Sequence, residues 1–239
     1  ADPRKICIVP CGFDRDEFWP IPRKLARRTL GFAPDARILA SIGRLVPRKG
    51  IDNAIRGLSR LERRYGFSAT LIVVGGNSDL PDPVVTPEIA RLREIAADAG
   101  VAERVIFTGR RSRELLKLYY SAADAFITTP WYEPFGITPL EAMACGTPVI
   151  GSNVGGIKYS VVHGETGYLV PPDDADALAA RLAELYANPD AIKQLGRNAI
   201  RRVNAKFRWE RVTRSLADVY EAACGTVPAL DPPLMAASA

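Results

Sequence analysis

Two carboxylates with seven residues between them bracket the segment Glu133-Pro134-Phe135-Gly136-Ile137-Thr138-Pro139-Leu140-Glu141. Pro139 fits the first turn of a helix, where its missing N–H would find no partner anyway. The N–H groups of about Phe135 to Thr138 then stay free, and the helix dipole makes them a seat for an anion. An acid lies on each side of that seat. Each can accept both hydroxyls of a vicinal diol. This suits a ligand with phosphate in its middle and hydroxyl-bearing rings at its ends. Glu141, inside the helix, reads either as a ribose-diol acceptor or as a plain helical glutamate. Glu133 lies in a turn between Trp131 and Pro134.

Other loops carry further groups. Gly43-Arg44-Leu45-Val46-Pro47-Arg48-Lys49-Gly50 follows an apolar run. Gly43 permits close backbone approach. Arg44 offers a planar fork and Lys49 a point charge, both suited to a diphosphate. Arg48 is the spare cation and is expected to face water. Gly75-Gly76, after Val73-Val74, either admits a ligand to the backbone or makes a turn. In Gly109-Arg110-Arg111-Ser112, Arg110 or Arg111 could stack on a nucleobase, or the segment simply ends a strand and starts a helix. No G-x-G-x-x-G is present, which disfavours a dehydrogenase. His163 is the only histidine. No histidine-based metal site or triad can be assembled, and a loop role suits His163 best.

The elements that must position these groups alternate. Short apolar runs at Ile38–Ile42, Thr70–Val74, Val105–Thr108, Ala125–Thr129, Pro148–Gly151 and Gly167–Val170 read as strands. Several are apolar throughout, as expected for parallel strands covered on both faces. Helical patterns fall at Ile51–Tyr65, Pro87–Ala99, Arg113–Ser121, Thr138–Cys145, Ala175–Ala187, Pro189–Ala205 and Trp209–Ala222. Ser112 and Asn188-Pro189 mark helix starts; Gly100 and Gly146 mark stops. A strand is also expected at Ile6–Val9. The expected fold is α/β: a single Rossmann-like domain, with a mostly parallel sheet of about six strands and helices on both faces. Its ligand belongs at the carboxyl ends of the strands.

The chain has 239 residues, 47% hydrophobic and 25% charged, with a formal net charge of +5. These are ordinary globular values. No run of 18 apolar residues suggests a membrane span. Nucleic acid is not expected as a partner, since acids are mixed through the sequence and binding would need a concentrated basic face. The nearest basic group is Arg197, Arg201, Arg202, Lys206, Arg208 and Arg211. It reads as a solvated helix face, or as a peripheral contact with anionic lipid headgroups or with another domain. Cys7, Cys11, Cys145 and Cys224 match no zinc or redox spacing, which points to a reducing, cytoplasmic setting. Peripheral contact would be at the inner membrane face.

Taken together, the motifs resemble the C-terminal half of retaining GT-B glycosyltransferases, in the large family that includes sucrose-phosphate synthases. The resemblance spans roughly residues 5–222. It rests on Pro10-Cys11-Gly12-Phe13-Asp14, Gly43-Arg44-Leu45…Lys49-Gly50, Glu133…Glu141, Ala144-Cys145-Gly146-Thr147-Pro148-Val149 and His163-Gly164-Glu165-Thr166-Gly167. Cys11 stands where the family usually has Asn.

The resemblance implies transfer of a hexose from a nucleotide-diphosphate sugar, with retention and with no metal or other cofactor. It implies that Arg44 and Lys49 hold the donor diphosphate, Glu133 the donor sugar and Glu141 the ribose. Phe135, Gly136 and Ile137 would offer backbone N–H groups. Family models describe front-face displacement. The resemblance further implies that residues 1–14 are a linker from an N-terminal domain, 15–207 the donor-binding domain, 208–223 a crossover helix and 224–239 a disordered tail. The acceptor, a sugar, sugar phosphate or lipid, would be met by the N-terminal domain, leaving this half inactive alone. A nucleotide-sugar epimerase and a non-catalytic nucleotide-sugar-binding module are the alternatives.

Overall fold

The computed structural model describes residues 6–225. Six strands form one sheet: β1 (Ile38–Ile42), β2 (Thr70–Val74), β3 (Val105–Gly109), β4 (Ala125–Thr128), β5 (Val149–Ser152) and β6 (Gly167–Val170). All neighbours are parallel, in the order β3-β2-β1-β4-β5-β6. Strand order reverses between β1 and β4, so the loops leaving these two strands diverge and open a crevice at their carboxyl ends.

The helices are α1 (Arg23–Thr29), α2 (Ile51–Tyr65), α3 (Pro87–Asp98), α4 (Arg113–Ala122), α5 (Ile137–Ala144), α6 (Ile157–Ser160), α7 (Ala175–Ala187), α8 (Pro189–Lys206) and α9 (Trp209–Ala223). Two apolar cores sandwich the sheet. Leu39, Leu71, Val73 and Ile127 face α2, α3 and α7. Ile38, Ala40, Ile42, Ile72, Val74 and Phe126 face α4, α5 and α6. Successive residues of a strand thus enter opposite cores, which is why these strands are apolar along most of their length. Each fully buried Ile or Leu contributes roughly 1.5–3 kcal/mol. Helix α8 serves both cores, with Ile192 and Leu195 in the first and Ala199 and Val203 in the second.

Local signals set the boundaries. α2 buries Ile51, Ala54, Ile55, Leu58 and Leu61, the stripe of a helix with one inward face. Asn188 caps α8 by accepting from the Ala191 N–H at 3.3 Å, with Pro189 next to it. Gly100 and Gly146 follow their helices at φ 72° and 78°. Ser112 occupies the N-cap position of α4, but its hydroxyl makes no capping bond.

Two readings need correction, the strand at Ile6–Val9 and the helix list. Ile6–Val9 forms no strand; Ile6 and Ile8 are half-exposed, and the segment pairs with no sheet edge among the described residues. A β-prone run without a ladder partner gains nothing from the extended form. Pairing begins only at Phe13, whose N–H donates to the Phe207 carbonyl at 2.8 Å. Helices α1 and α6 were not expected. α1 has no apolar stripe because its buried face is led by Arg27, which donates to Asp124 at 2.7 Å and to the Ala122 carbonyl at 2.9 Å. α6 is a four-residue turn. The expected disordered tail lies, apart from Cys224 and Gly225, outside the described residues. No helix among the described residues is long and apolar enough to cross a membrane.

Candidate active site

The crevice between β1 and β4 gathers most of the chemically promising residues. Gly43 leaves β1 at φ 150°, with open space where a side chain would lie. Arg44 is exposed and has no hydrogen-bond or ion-pair partner among the described residues. A 3-10 turn, Pro47–Lys49, then ends at Gly50 with φ 65°. A side chain at Gly50 would collide with the Thr129 carbonyl. The Thr129 hydroxyl donates to the Gly50 carbonyl at 2.8 Å. The loops after β1 and β4 are thereby joined at backbone distance, which places Lys49 beside Glu133.

The Lys49 ammonium donates to Glu133 Oε2, with the two side chains 20% and 12% exposed. Two residues read as separate graspers therefore form one ion pair. Arg48 does not face water alone: its guanidinium donates to the Tyr132 carbonyl at 3.1 Å and fastens the same turn.

The turn carrying Glu133 is also held from β5. The Gly156 N–H donates to the Glu133 carbonyl at 3.1 Å. Side chains at Gly155 or Gly156 would run into the backbone of Glu133 or Phe135. This glycine pair is the functional feature that sequence reasoning missed. Its only signal was two adjacent glycines after a strand.

Helix α5 starts at Ile137, with Gly136 as N-cap at φ 87° and no side-chain cap. Among the described residues no acceptor meets the N–H groups of Phe135, Gly136, Ile137 or Thr138. Four unpaired donors at a helix start are groups able to receive an anion.

Glu141 stands apart from Glu133 in character. It is 3% exposed. The Tyr120 hydroxyl donates to Oε2 at 2.8 Å and the Arg113 guanidinium to Oε1 at 3.1 Å. Burial pushes its carboxyl above the ordinary range, against the pull of these two donors. Arg113 also pairs with Glu17 and lies over the Phe18 ring at 4.9 Å. An open diol acceptor is thus not what this conformation presents; Arg113 covers Glu141.

Two further residues have neighbours in adjoining loops. Gly75 serves packing, because a side chain there would strike the Gly43 carbonyl. Arg110 is not a free stacking group: its side chain pairs with Asp79 at 3.3 Å, and its N–H donates to the Ser78 carbonyl at 2.7 Å. Arg111 donates to the Asp79 carbonyl at 2.8 Å and to the Tyr119 hydroxyl at 3.1 Å. The loop after β2 therefore folds over Gly109–Arg111. His163 Nδ1 accepts from the Leu169 N–H at 3.1 Å, a loop-fixing role. Cys145 is buried, and burial pushes its thiol up, which makes it packing.

With this geometry in hand, the relatives are informative. The D-inositol 3-phosphate glycosyltransferase of Thermobispora bispora is 36% identical over 223 residues, covering 92% of this chain and 51% of that protein. The sucrose-phosphate synthase tll1590 of Thermosynechococcus elongatus superimposes with TM-score 0.82 at 35% identity, over 92% of this chain and 53% of its own. Anabaena Alr3699/HepE, solved in complex with UDP-glucose, gives TM-score 0.75 at 25% identity, over 88% and 56%. The chain spans about half the length of the curated relatives it matches. The α/β fold with its six-stranded parallel sheet is that of the C-terminal half of a GT-B glycosyltransferase. The sequence profile described as Glycosyl transferases group 1 matches residues 22–202, and the chain belongs to that family.

Proposed function

We propose that this chain is the donor-binding half of a retaining glycosyltransferase that takes a hexose from a nucleotide-diphosphate sugar. The observation carrying this reading is the Lys49–Glu133 pair set beside the free N–H groups that open α5. A diphosphate at the α5 N-terminus would meet those N–H groups, the helix dipole and the Lys49 ammonium. Arg44, exposed and unpaired, would swing onto it. These groups are fixed before the reaction and face charge that grows on the departing diphosphate, so they favour the transition state over the ground state. The counter-charge comes from side chains and backbone, and the reading calls for no metal.

Glu133 then has two tasks. Before binding it orients Lys49. With donor present, its carboxylate accepts hydroxyls of the sugar as Lys49 turns to phosphate. Glu141 would take the ribose diol once Arg113 moves aside. Arg110 and Gly75 support the surrounding loops in this reading. Acceptor recognition, for a sugar, sugar phosphate or lipid, is assigned to the part of the relatives' length that this chain does not span. A relative solved with UDP-glucose supports a nucleotide-sugar as donor. Residues 15–207 would form the donor domain and 208–223 the crossover helix.

Calorimetry on Glu133→Gln tests the division of labour. The variant should bind UDP as well as or better than the native chain, because Lys49 is released. The extra affinity of UDP-glucose over UDP should shrink. If that increment is unchanged, Glu133 does not hold the sugar.

A further inference from the structure

A second pocket, about 230 Å³ in volume, opens beside the Gly50–Thr129 contact at the start of α2. Arg44, Lys49, Glu133 and Glu141 do not line it. Its lining includes Asp52, Asn53, Arg91, Trp131 and Asp173. Asn53 is 1% exposed, yet neither its Nδ2 nor its Oδ1 has a hydrogen-bond partner. Leaving such groups buried and unpaired is costly, and folded chains rarely do so. One water could answer the amide in roughly 30 Å³. The pocket has several times that room.

The charged groups of the wall are ion-paired with one another or with neighbours just outside it. Asp52 meets Arg56 at 3.2 Å and Arg91 at 3.7 Å, Arg91 meets Glu88 at 2.6 Å, and Asp173 meets Arg56 at 3.8 Å. The three carboxylates outnumber the two guanidiniums by one, so the wall disfavours an anion and suits a neutral ligand rich in hydroxyl donors. Trp131, 65% exposed, adds a flat apolar face with an indole N–H. The amide offers donors and an acceptor together, and the Asp173 carboxylate is an exposed acceptor. An aromatic face, an amide and a carboxylate together match a ring that is apolar on its faces and hydroxylated at its rim.

We propose that this pocket is a subsite for a neutral hydroxyl-rich ring, a pyranose or cyclitol, seated on Trp131 and hydrogen-bonded to Asn53. Both amide atoms lie below the pocket surface, so seating includes a shift of the Asn53 side chain or of the Trp131 turn. The subsite is separate from the donor seat and does not depend on the donor reading.

The test is a titration of the isotopically labelled 239-residue chain with methyl α-D-glucopyranoside and myo-inositol, followed by NMR, with open-chain mannitol as control. At least one ring should shift the Trp131 indole and Asn53 side-chain amide signals saturably. The Trp19 and Trp209 indoles should stay in place. Trp131→Ala and Asn53→Leu should each weaken the effect by about ten-fold or more. Trp131 is exposed, so its variant should fold even if the Asn53 variant does not. A separate UDP titration reads the donor seat at the Phe135 and Gly136 amides, so failure there is distinguishable from failure here. Absence of saturable shifts with both rings, equal shifts with mannitol, or undiminished shifts in Trp131→Ala would each overturn the proposal.

Discussion

Lys49 and Glu133 are 84 positions apart in the chain and form one ion pair at the point where strand order reverses. Lys49 comes from the turn after β1 and Glu133 from the turn after β4. The Gly50–Thr129 contact sets their separation. The pair holds a cation near the unpaired N–H groups that open α5 while keeping a largely buried carboxylate compensated.

Removing Lys49 should therefore have two effects. Lys49→Ala leaves Glu133 without its partner and should cost about 1–3 kcal/mol of stability, read by urea denaturation. It should also weaken UDP binding by about ten-fold or more while changing uridine binding little. Equal losses for UDP and uridine would reduce Lys49 to a support of the fold.

Glu141 gives a pH signature. Its folded-state carboxyl titrates above the ordinary 4.5, with burial as the main cause. Between the unfolded and folded values the folded chain holds the proton more tightly. Stability from this group is complete below the unfolded value and falls as pH rises through the folded one. Glu141→Gln removes the titration and keeps an acceptor for Tyr120. The stability of the native chain relative to this variant should decline as pH rises from about 4.5. A difference that grows with pH would mean that Arg113 outweighs burial.

The glycine pair after β5 is predicted to matter more than its appearance suggests. Gly156→Ala sets a methyl against the Phe135 backbone and should cost about 1–3 kcal/mol, while displacing the turn that carries Glu133. Gly164→Ala is the control. It has open space around it and φ 76°, so only backbone strain of about 1 kcal/mol applies. If the two variants lose the same stability and the same affinity for UDP-glucose, the packing argument fails.

How much could be read beforehand follows from where the information lies. β1, β2 and β6 were legible to the residue because strands feeding two cores are apolar at nearly every position. α2 was legible from its stripe. Ile6–Val9 had the same local character, but a strand needs a partner, which local composition does not reveal. α1 escaped because an arginine leads its buried face. In the site, each loop announced itself separately through Gly43, Lys49, Glu133 or Glu141. Their pairings did not, since Arg113 over Glu141 and Asp79 beside Arg110 depend on how loops fold back in space.

The central claim, a nucleotide-diphosphate sugar seat at the α5 N-terminus, is tested most directly by thermal stability. The 239-residue chain should be melted with UDP, GDP or ADP and with their common sugar conjugates. A ligand at 100 times its Kd adds about 2.7 kcal/mol, or roughly 5–10 °C for a chain of this size. At least one nucleoside diphosphate and its sugar conjugate should raise the melting temperature in this way, and Lys49→Ala should remove most of the rise. If none of them stabilises the native fold, the crevice is not a donor seat and the account is contradicted.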